Sequence, residues 1–237
     1  MIYEPLHQEG VAAVVSSSTH PPRSSVTMSS SSPRLPSDPL HRSILAVDIE
    51  GYSRPERTNP IRARLRDSLY LLLDQAIGSL GIAPDQYEPP TDQGDGALVL
   101  FHPEVPKNRL LHPLIANLAE GLAGHNVTAP EREHIRLRVV VHAGELLSDE
   151  HGYFGEDLDD AFGLLNSNTL RACLTETGSP LALLVTHQIY EGIVKHELAG
   201  VDPVMYQRTR VRLKRKSIPR VSGLCRGVEP GEQGVWE

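Results

Sequence analysis

The chain has 237 residues, 22% of them charged, with a formal net charge of −7 at pH 7. That length can bury a core without covalent staples, in one domain plus tails, while the acidic balance argues against a surface that binds nucleic acid or anionic membranes generally. Cys173 and Cys225 stand far apart in no C-x-x-C spacing and read as two ordinary thiols, and the absence of a long apolar run or a secretory signal pattern points to a soluble cytoplasmic protein.

Residues 1–40 are Ser/Pro-rich, SSSTHPPRSSVTMSSSSPRLPSDP at their centre, and too poor in apolar side chains to offset the entropy of ordering, so a disordered leader is expected. The folded domain is expected over 41–220, with 221–237 as a C-terminal tail. Ser43 to Ile49, SILAVDI, is a short β-branched apolar run interrupted by one acid, a buried strand. Asn59-Pro60 offers an N-cap and a first-turn proline. Ile61, Leu65, Leu69, Leu72, Ala76 and Leu80 then recur at helical spacing until Gly81. A hairpin centred on Gly94 to Gly96 leads into a strand over Ala97–Phe101. A second helix follows over Asn108–Gly124, with Pro113 kinking it or marking its regular start. Strands are predicted at Ile135–His142, Leu181–Thr186 and Met205–Leu213, and a helical stretch spans 156–176. Helices separating strands throughout imply an α/β (α+β) domain, a sheet with helices packed on it.

Two acids stand out. Asp48 lies near the end of the first strand, where an unpaired buried charge is costly. Asp95 sits in QGDGALVLF and is either a turn residue, Asp-Gly being a favoured hairpin tip, or a ligand. If the two strands are neighbours, both carboxylates can reach a shared cation. A salt bridge or a capping role is the plainer account of Asp48; Mg²⁺, which takes one or two carboxylates plus phosphates and water, is the sharper one.

AVDIEGYS at 46–53 resembles the first metal motif of the class III nucleotide cyclases, the adenylate and guanylate cyclase catalytic domains. QGDGALVLF at 93–101 resembles their second metal motif, RLRVVVHAGE at 136–145 their strand ending in His, a small residue and Gly, and GEDLDDAFGLLNS at 155–167 lies where they place a Gly-x-x-Val-Asn-x-Ala-x-Arg helix. The four matches fall in family order over residues 43–213. The resemblance implies a ferredoxin-like, mostly antiparallel core that pairs head to tail as a homodimer or with a related domain, binding a nucleoside triphosphate at the interface. It also implies that Asp48 and Asp95, with the Ile49 carbonyl, hold two Mg²⁺ or Mn²⁺ ions, and that the backbone of Ile49, Gly51, Tyr52 and Ser53 touches metal and phosphates. Lys214 matches the family's outer-phosphate lysine, or is one cation of a solvated edge strand.

The same alignment places Asp159 where the family has its ribose-orienting Asn, and Gly163 where it has the Arg that stabilises charge on the α-phosphate. Glu156, Asp157, Asp159 and Asp160 cluster at that helix start, where the dipole favours acids without any ligand. Thr91 and Gly152 stand at the adenine-reading positions, so the base is open. His142 is expected to be structural, since a two-metal mechanism needs no such side chain. Two functions remain: a diverged cyclase forming a 3′,5′-cyclic nucleotide and pyrophosphate in signalling, or an inactive homologue serving as a dimerising regulatory module. A diguanylate-type synthase is disfavoured because Gly-Asp-Gly lacks that family's extra acidic pair.

Overall fold

The computed structural model describes residues 38–211 and 221–228; the leader expected over 1–40 and Lys214 lie largely or wholly outside them. The apolar run of the first strand is β1 (Leu40–Ile49), flanked by β3 (Gly96–Phe101) and β4 (Leu137–Asp149), both antiparallel to it. With β2 (Thr91–Asp92), β6 (Leu181–Thr186), β7 (Gln207–Val211) and β8 (Val221–Val228), the sheet runs β2-β3-β1-β4-β6-β8-β7. β5 (Gly152–Phe154) pairs with the far end of β4, and among the described strands only β4 and β6 run parallel.

The period of two along these strands divides the core into two layers. Leu45, Val47 and Ile49 with Val99, Phe101, Val139 and Val141 face α1 (Asn59–Gly78) and α3 (Ile115–Thr128). Ile44 and Ala46 with Leu98, Leu100, Val140 and Leu184 face α4 (Glu156–Leu165) and α5 (Asn168–Thr177). Asp48 belongs to the second face by the same alternation, one residue from the solid apolar layer on either side of it.

Several boundaries differ from expectation, each for a local reason. Thr58 takes the N-cap of α1 without a side-chain bond, so Asn59 and Pro60 are already in its first turn. The helix expected over 108–124 breaks at His112 (φ −154°, ψ 122°), immediately before Pro113, because a proline excludes the helical conformation from the residue preceding it; a short turn α2 (Lys107–Arg109) precedes the break and α3 follows. The stretch 156–176 is two helices: the chain turns at Asn166–Ser167, and the Ser167 hydroxyl accepts from the Leu170 amide at 3.2 Å as a new N-cap. A short α6 (His187–Gly192) follows β6. Residues 221–228, expected in a tail, form β8 and fill the sheet between β6 and β7, pairing with both and meeting the demand of those strands for main-chain partners. Cys173 is disulfide-bonded, against the ordinary thiols expected.

Candidate functional site

Asp48 ends the buried part of β1, directly across from Gly96 on β3 and Arg138 on β4. Arg138 Nη2 donates to Asp48 Oδ1 at 2.7 Å, and both side chains are more than nine-tenths buried. Arg138 was not anticipated from the sequence, although a signal was present. SILAVDI and LRVVVH each carry one charge in an apolar run, and opposite charges in neighbouring buried strands satisfy each other. Burial pushes the Asp48 carboxyl above its ordinary range; the Arg138 hydrogen bond and charge oppose this, and the negative charge of Asp95 adds to it. Oδ2 of Asp48 and both carboxylate oxygens of Asp95 accept no hydrogen bond among the described residues.

Asp95 is not one of two central residues of a tight primed turn. The tip is Gln93–Gly94–Asp95, with Gly94 alone in the left-handed region (φ 84°), Gln93 N donating to Gly96 O at 3.1 Å and Asp95 N to Gln93 O at 3.2 Å. Arg66 on α1 clamps this tip, donating to Asp92 Oδ1 at 2.7 Å and to the Gly94 carbonyl at 2.5 Å, and Asp92 also accepts from the Gly94 amide at 2.9 Å. The Asp95 carbonyl accepts from the Ile49 amide at 2.9 Å, which ties the hairpin to the end of β1. Gly96 has to be glycine: a Cβ there would stand 2.0 Å from the Val47 carbonyl oxygen.

Ile49 leads into the turn Gly51–Ser53, where Gly51 takes φ 65° and the Tyr52 amide donates to the Ile49 carbonyl at 3.3 Å. The turn is bolted from below. Arg57 donates to the carbonyls of Glu50 (3.0 Å) and His134 (2.7 Å), and Arg136 Nη1 meets the Glu50 carboxylate at 3.0 Å. Gly51 and Tyr52 are half-buried and Ser53 is exposed.

The acidic start of α4 belongs to another part of the sheet. Asp157 Oδ2 accepts from the Glu145 amide at 2.8 Å, and Oδ1 lies 3.3 Å from His142 Nε2, whose other ring nitrogen is 3.1 Å from the Thr186 hydroxyl. His142 is four residues along β4 from Arg138, about 13 Å at strand rise. The His142 ring thus lies between the Thr186 hydroxyl and Asp157, which also accepts from the Glu145 amide. Asp159 follows on the exposed side of α4, and Leu158 and Ala161 pack on Ile44, Leu98 and Leu100. The structure therefore brings Asp48, Asp95 and Ile49 together with Gly51–Ser53 beside them. Thr91, cross-strand from Leu98 on the edge strand β2, shares their face two strands away, whereas Asp159 lies with the His142 end.

For a hard divalent cation the donor set fits: Asp48 Oδ2, left over from the Arg138 ion pair, the Asp95 carboxylate and the Ile49 carbonyl are all oxygen, and one or two carboxylates suffice when a phosphate completes the shell. Among the described residues no group of three or more His, Cys, Asp or Glu could hold an ion by protein ligands alone. No described helix is long and apolar enough to cross a membrane.

No protein-family model matches the chain, and neither does any curated protein. Solved structures do. An adenylate/guanylate cyclase/hydrolase from Silicibacter pomeroyi superposes with a TM-score of 0.55 at 20% identity, over 81% of this chain and 98% of that one. A bacterial light-regulated adenylyl cyclase gives 0.54 at 10% identity over 83% and 92%. The guanylate cyclase domain of RhGC from Catenaria anguillulae, in complex with GTP, gives 0.51 at 14% identity over 80% and 97%. The chain has the fold of the class III nucleotide cyclase catalytic domains.

Proposed function

We propose that this chain is a diverged nucleotide cyclase-like domain that binds a divalent ion and a nucleoside triphosphate at Asp48 and Asp95. The observation that carries this reading is the convergence, from positions 47 residues apart in sequence, of Asp48 and Asp95: Asp48 stands across from Gly96, the residue after Asp95, and the Ile49 amide donates to the Asp95 carbonyl, while Asp48 Oδ2 and the Asp95 carboxylate accept no hydrogen bond among the described residues. Asp48, Asp95 and the Ile49 carbonyl would hold Mg²⁺ or Mn²⁺, which when bound supplies Lewis-acid polarisation of the attacking 3′-hydroxyl and of the triphosphate. The chain's own residues orient and neutralise. Arg138 fixes one oxygen of Asp48 and leaves the other for the ion, and the Glu50–Arg57–Arg136 bolt holds the Gly51–Ser53 turn in place for phosphate. The product would be a 3′,5′-cyclic nucleotide with release of pyrophosphate, in a head-to-tail pair of such domains in the cytoplasm. Solved relatives of this fold hold GTP or an ATP analogue.

Turnover is expected to be slow. Gly163 offers no guanidinium to the developing charge on the α-phosphate, a contribution of about 10³–10⁵ in rate where such an arginine acts, and Asp159 presents a charge where an amide would orient the ribose. These substitutions, together with the Arg138 grip on Asp48, favour a second reading, an inactive homologue used as a dimerising regulatory module. Calorimetric titration of each of the four nucleoside triphosphates with Mn²⁺, paired with a pyrophosphate-release assay, separates the two. Metal-dependent binding lost in Asp48→Asn/Asp95→Asn supports the first reading; no metal-dependent binding of any triphosphate leaves only the module.

A further inference from the structure

α5 is a short helix with little apolar surface to hold it. Of its ten residues only Leu170 and Leu174 are buried, and so short a helix depends on its tertiary ties to stay formed. Two further ties are present. Arg136, just before β4, donates through Nη2 to the Leu174 carbonyl and through Nε to the Ser179 carbonyl at 3.4 Å, while its Nη1 meets the Glu50 carboxylate at 3.0 Å. One guanidinium thus joins the end of α5 to the turn after β1. The second tie is covalent. Cys173, the residue before Leu174, is disulfide-bonded, and Cys225 is the only other cysteine in the sequence. Position 225 lies in β8, cross-strand from Leu184 of β6 and Gln207 of β7, and Leu184 belongs to the layer that α5 covers. The bond therefore closes a loop containing β6, α6 and β7 and staples α5 to the strand between β6 and β7. Cys173 is half-buried and lines a cleft of about 520 Å³ between α5 and the β7–β8 pair, together with Thr169, Glu176, Gln207 and Arg208. That is room for a small thiol. In the cytoplasm proposed above, a disulfide that solvent thiols can reach is opened and closed rather than permanent.

We propose that the Cys173 disulfide is a redox switch: a thiol reductant entering this cleft opens it, and α5 and the turn after β1 then loosen together. A thiolate of the reductant attacks one sulfur, forming a mixed disulfide and releasing the other cysteine as a thiol. A second thiol of the reductant displaces the remaining cysteine, and the reductant leaves as its own disulfide. Two electrons and two protons end on Cys173 and Cys225. The route to the turn is short, because Cys173 precedes the carbonyl that Arg136 grips and Arg136 holds Glu50 directly. The switch does not require nucleotide to bind.

The test compares the full chain equilibrated with oxidised glutathione and with reduced dithiothreitol, by intact mass with maleimide labelling after denaturation, by thermal midpoint and by amide hydrogen exchange. The oxidised chain should carry no reactive thiol and no bound glutathione, and the reduced chain two thiols. Reduction should lower the thermal midpoint by roughly 5–15 °C, as opening a long cross-linked loop does in a domain of this size. At labelling times that leave α1 protected, the amides of Asn168–Thr177 and of Gly51–Ser53 should exchange about 10-fold faster or more in the reduced chain. Cys173→Ser/Cys225→Ser should behave as the reduced parent in both buffers; if it does not fold, the reduced parent supplies the same comparison. Arg136→Gln should keep the redox response of α5 and lose that of the turn. Reactive thiols or bound glutathione after oxidation would overturn the disulfide. Exchange insensitive to redox state, a response confined to α5, or a uniform rise that includes α1 would overturn the switch.

Discussion

Asp48 and Arg138 define the chemistry of the site at the scale of single residues. A buried ion pair contributes little net stability over apolar packing, yet breaking it is expensive because one charge is stranded. Arg138→Met should therefore cost about 3–5 kcal/mol in urea unfolding, whereas Asp48→Asn should cost less, since its amide oxygen still accepts from Arg138. The pH dependence has a defined sign. The folded carboxyl holds its proton to higher pH than the ordinary 3.8, chiefly because it is buried. As pH rises past 3.8 the unfolded chain releases that proton first, so stability falls until the folded carboxyl has ionised too; beyond that the loss is complete and stays constant. Chevron or equilibrium unfolding from pH 3 upward should show this decline in the parent and lose it in Asp48→Asn. A divalent ion competes with that proton for the carboxylate, so Mn²⁺ affinity should climb over the same interval, measurable by electron paramagnetic resonance of free Mn²⁺.

At the scale of elements, the hairpin β2–β3 is the part most exposed to single substitutions. Gly96→Ala forces a methyl group to 2.0 Å from the Val47 carbonyl. Neither strand can yield without breaking the β1–β3 pairing, so a loss of more than about 3 kcal/mol is expected. Gly94→Ala meets open space and suffers only from its φ of 84°, a cost of about 1 kcal/mol; the contrast between the two, read from unfolding midpoints, tests whether crowding or backbone conformation governs this tip. Asp92 works from the other side. Its carboxyl is held down to about 2 by the Arg66 hydrogen bond first and the Gly94 amide second. Its contribution is present above the ordinary 3.8 and is lost as pH falls toward about 2. An NMR titration of the Asp92 carboxyl should return that low value in the parent and an ordinary one in Arg66→Gln.

At the scale of the whole molecule, the sheet separates a sealed face from a chemical one. α1 and α3 bury one side completely, and the other carries, along successive positions of β1 and β4, apolar packing under α4 and α5 interrupted by Asp48, Arg138 and His142. Arg42 and His142 lie along β1 and β4, and Asp48 and Arg138 lie where β1 ends and β4 begins. A ligand bound there should stabilise the fold as one unit: at 100 times its dissociation constant about 2.7 kcal/mol, roughly 5–10 °C in thermal midpoint for a domain of this size. Differential scanning fluorimetry with Mn²⁺ plus each triphosphate should give that shift in the parent and a much smaller one in Asp48→Asn/Asp95→Asn.

Local pattern alone located the first strand, the long α1 helix, the buried strand Leu181–Thr186 and both candidate aspartates, because period, apolar runs and turn residues are properties of neighbours in sequence. It also identified the Pro113 break. What it missed depends on contacts between segments remote in the chain: β8 as a strand of the sheet, the split of 156–176 into two helices, the disulfide at Cys173, and Arg138 as the partner of Asp48. The direction of the acids on α4 belongs to the same group, since Asp157 turns to the Glu145 amide only once β4 and α4 have packed. Residue types and their spacing determined that two carboxylates could converge on this fold. Only the tertiary arrangement decided which cation pairs with Asp48, because a buried charge takes whatever opposite charge the neighbouring strand delivers, and register is set by the packing of the entire sheet.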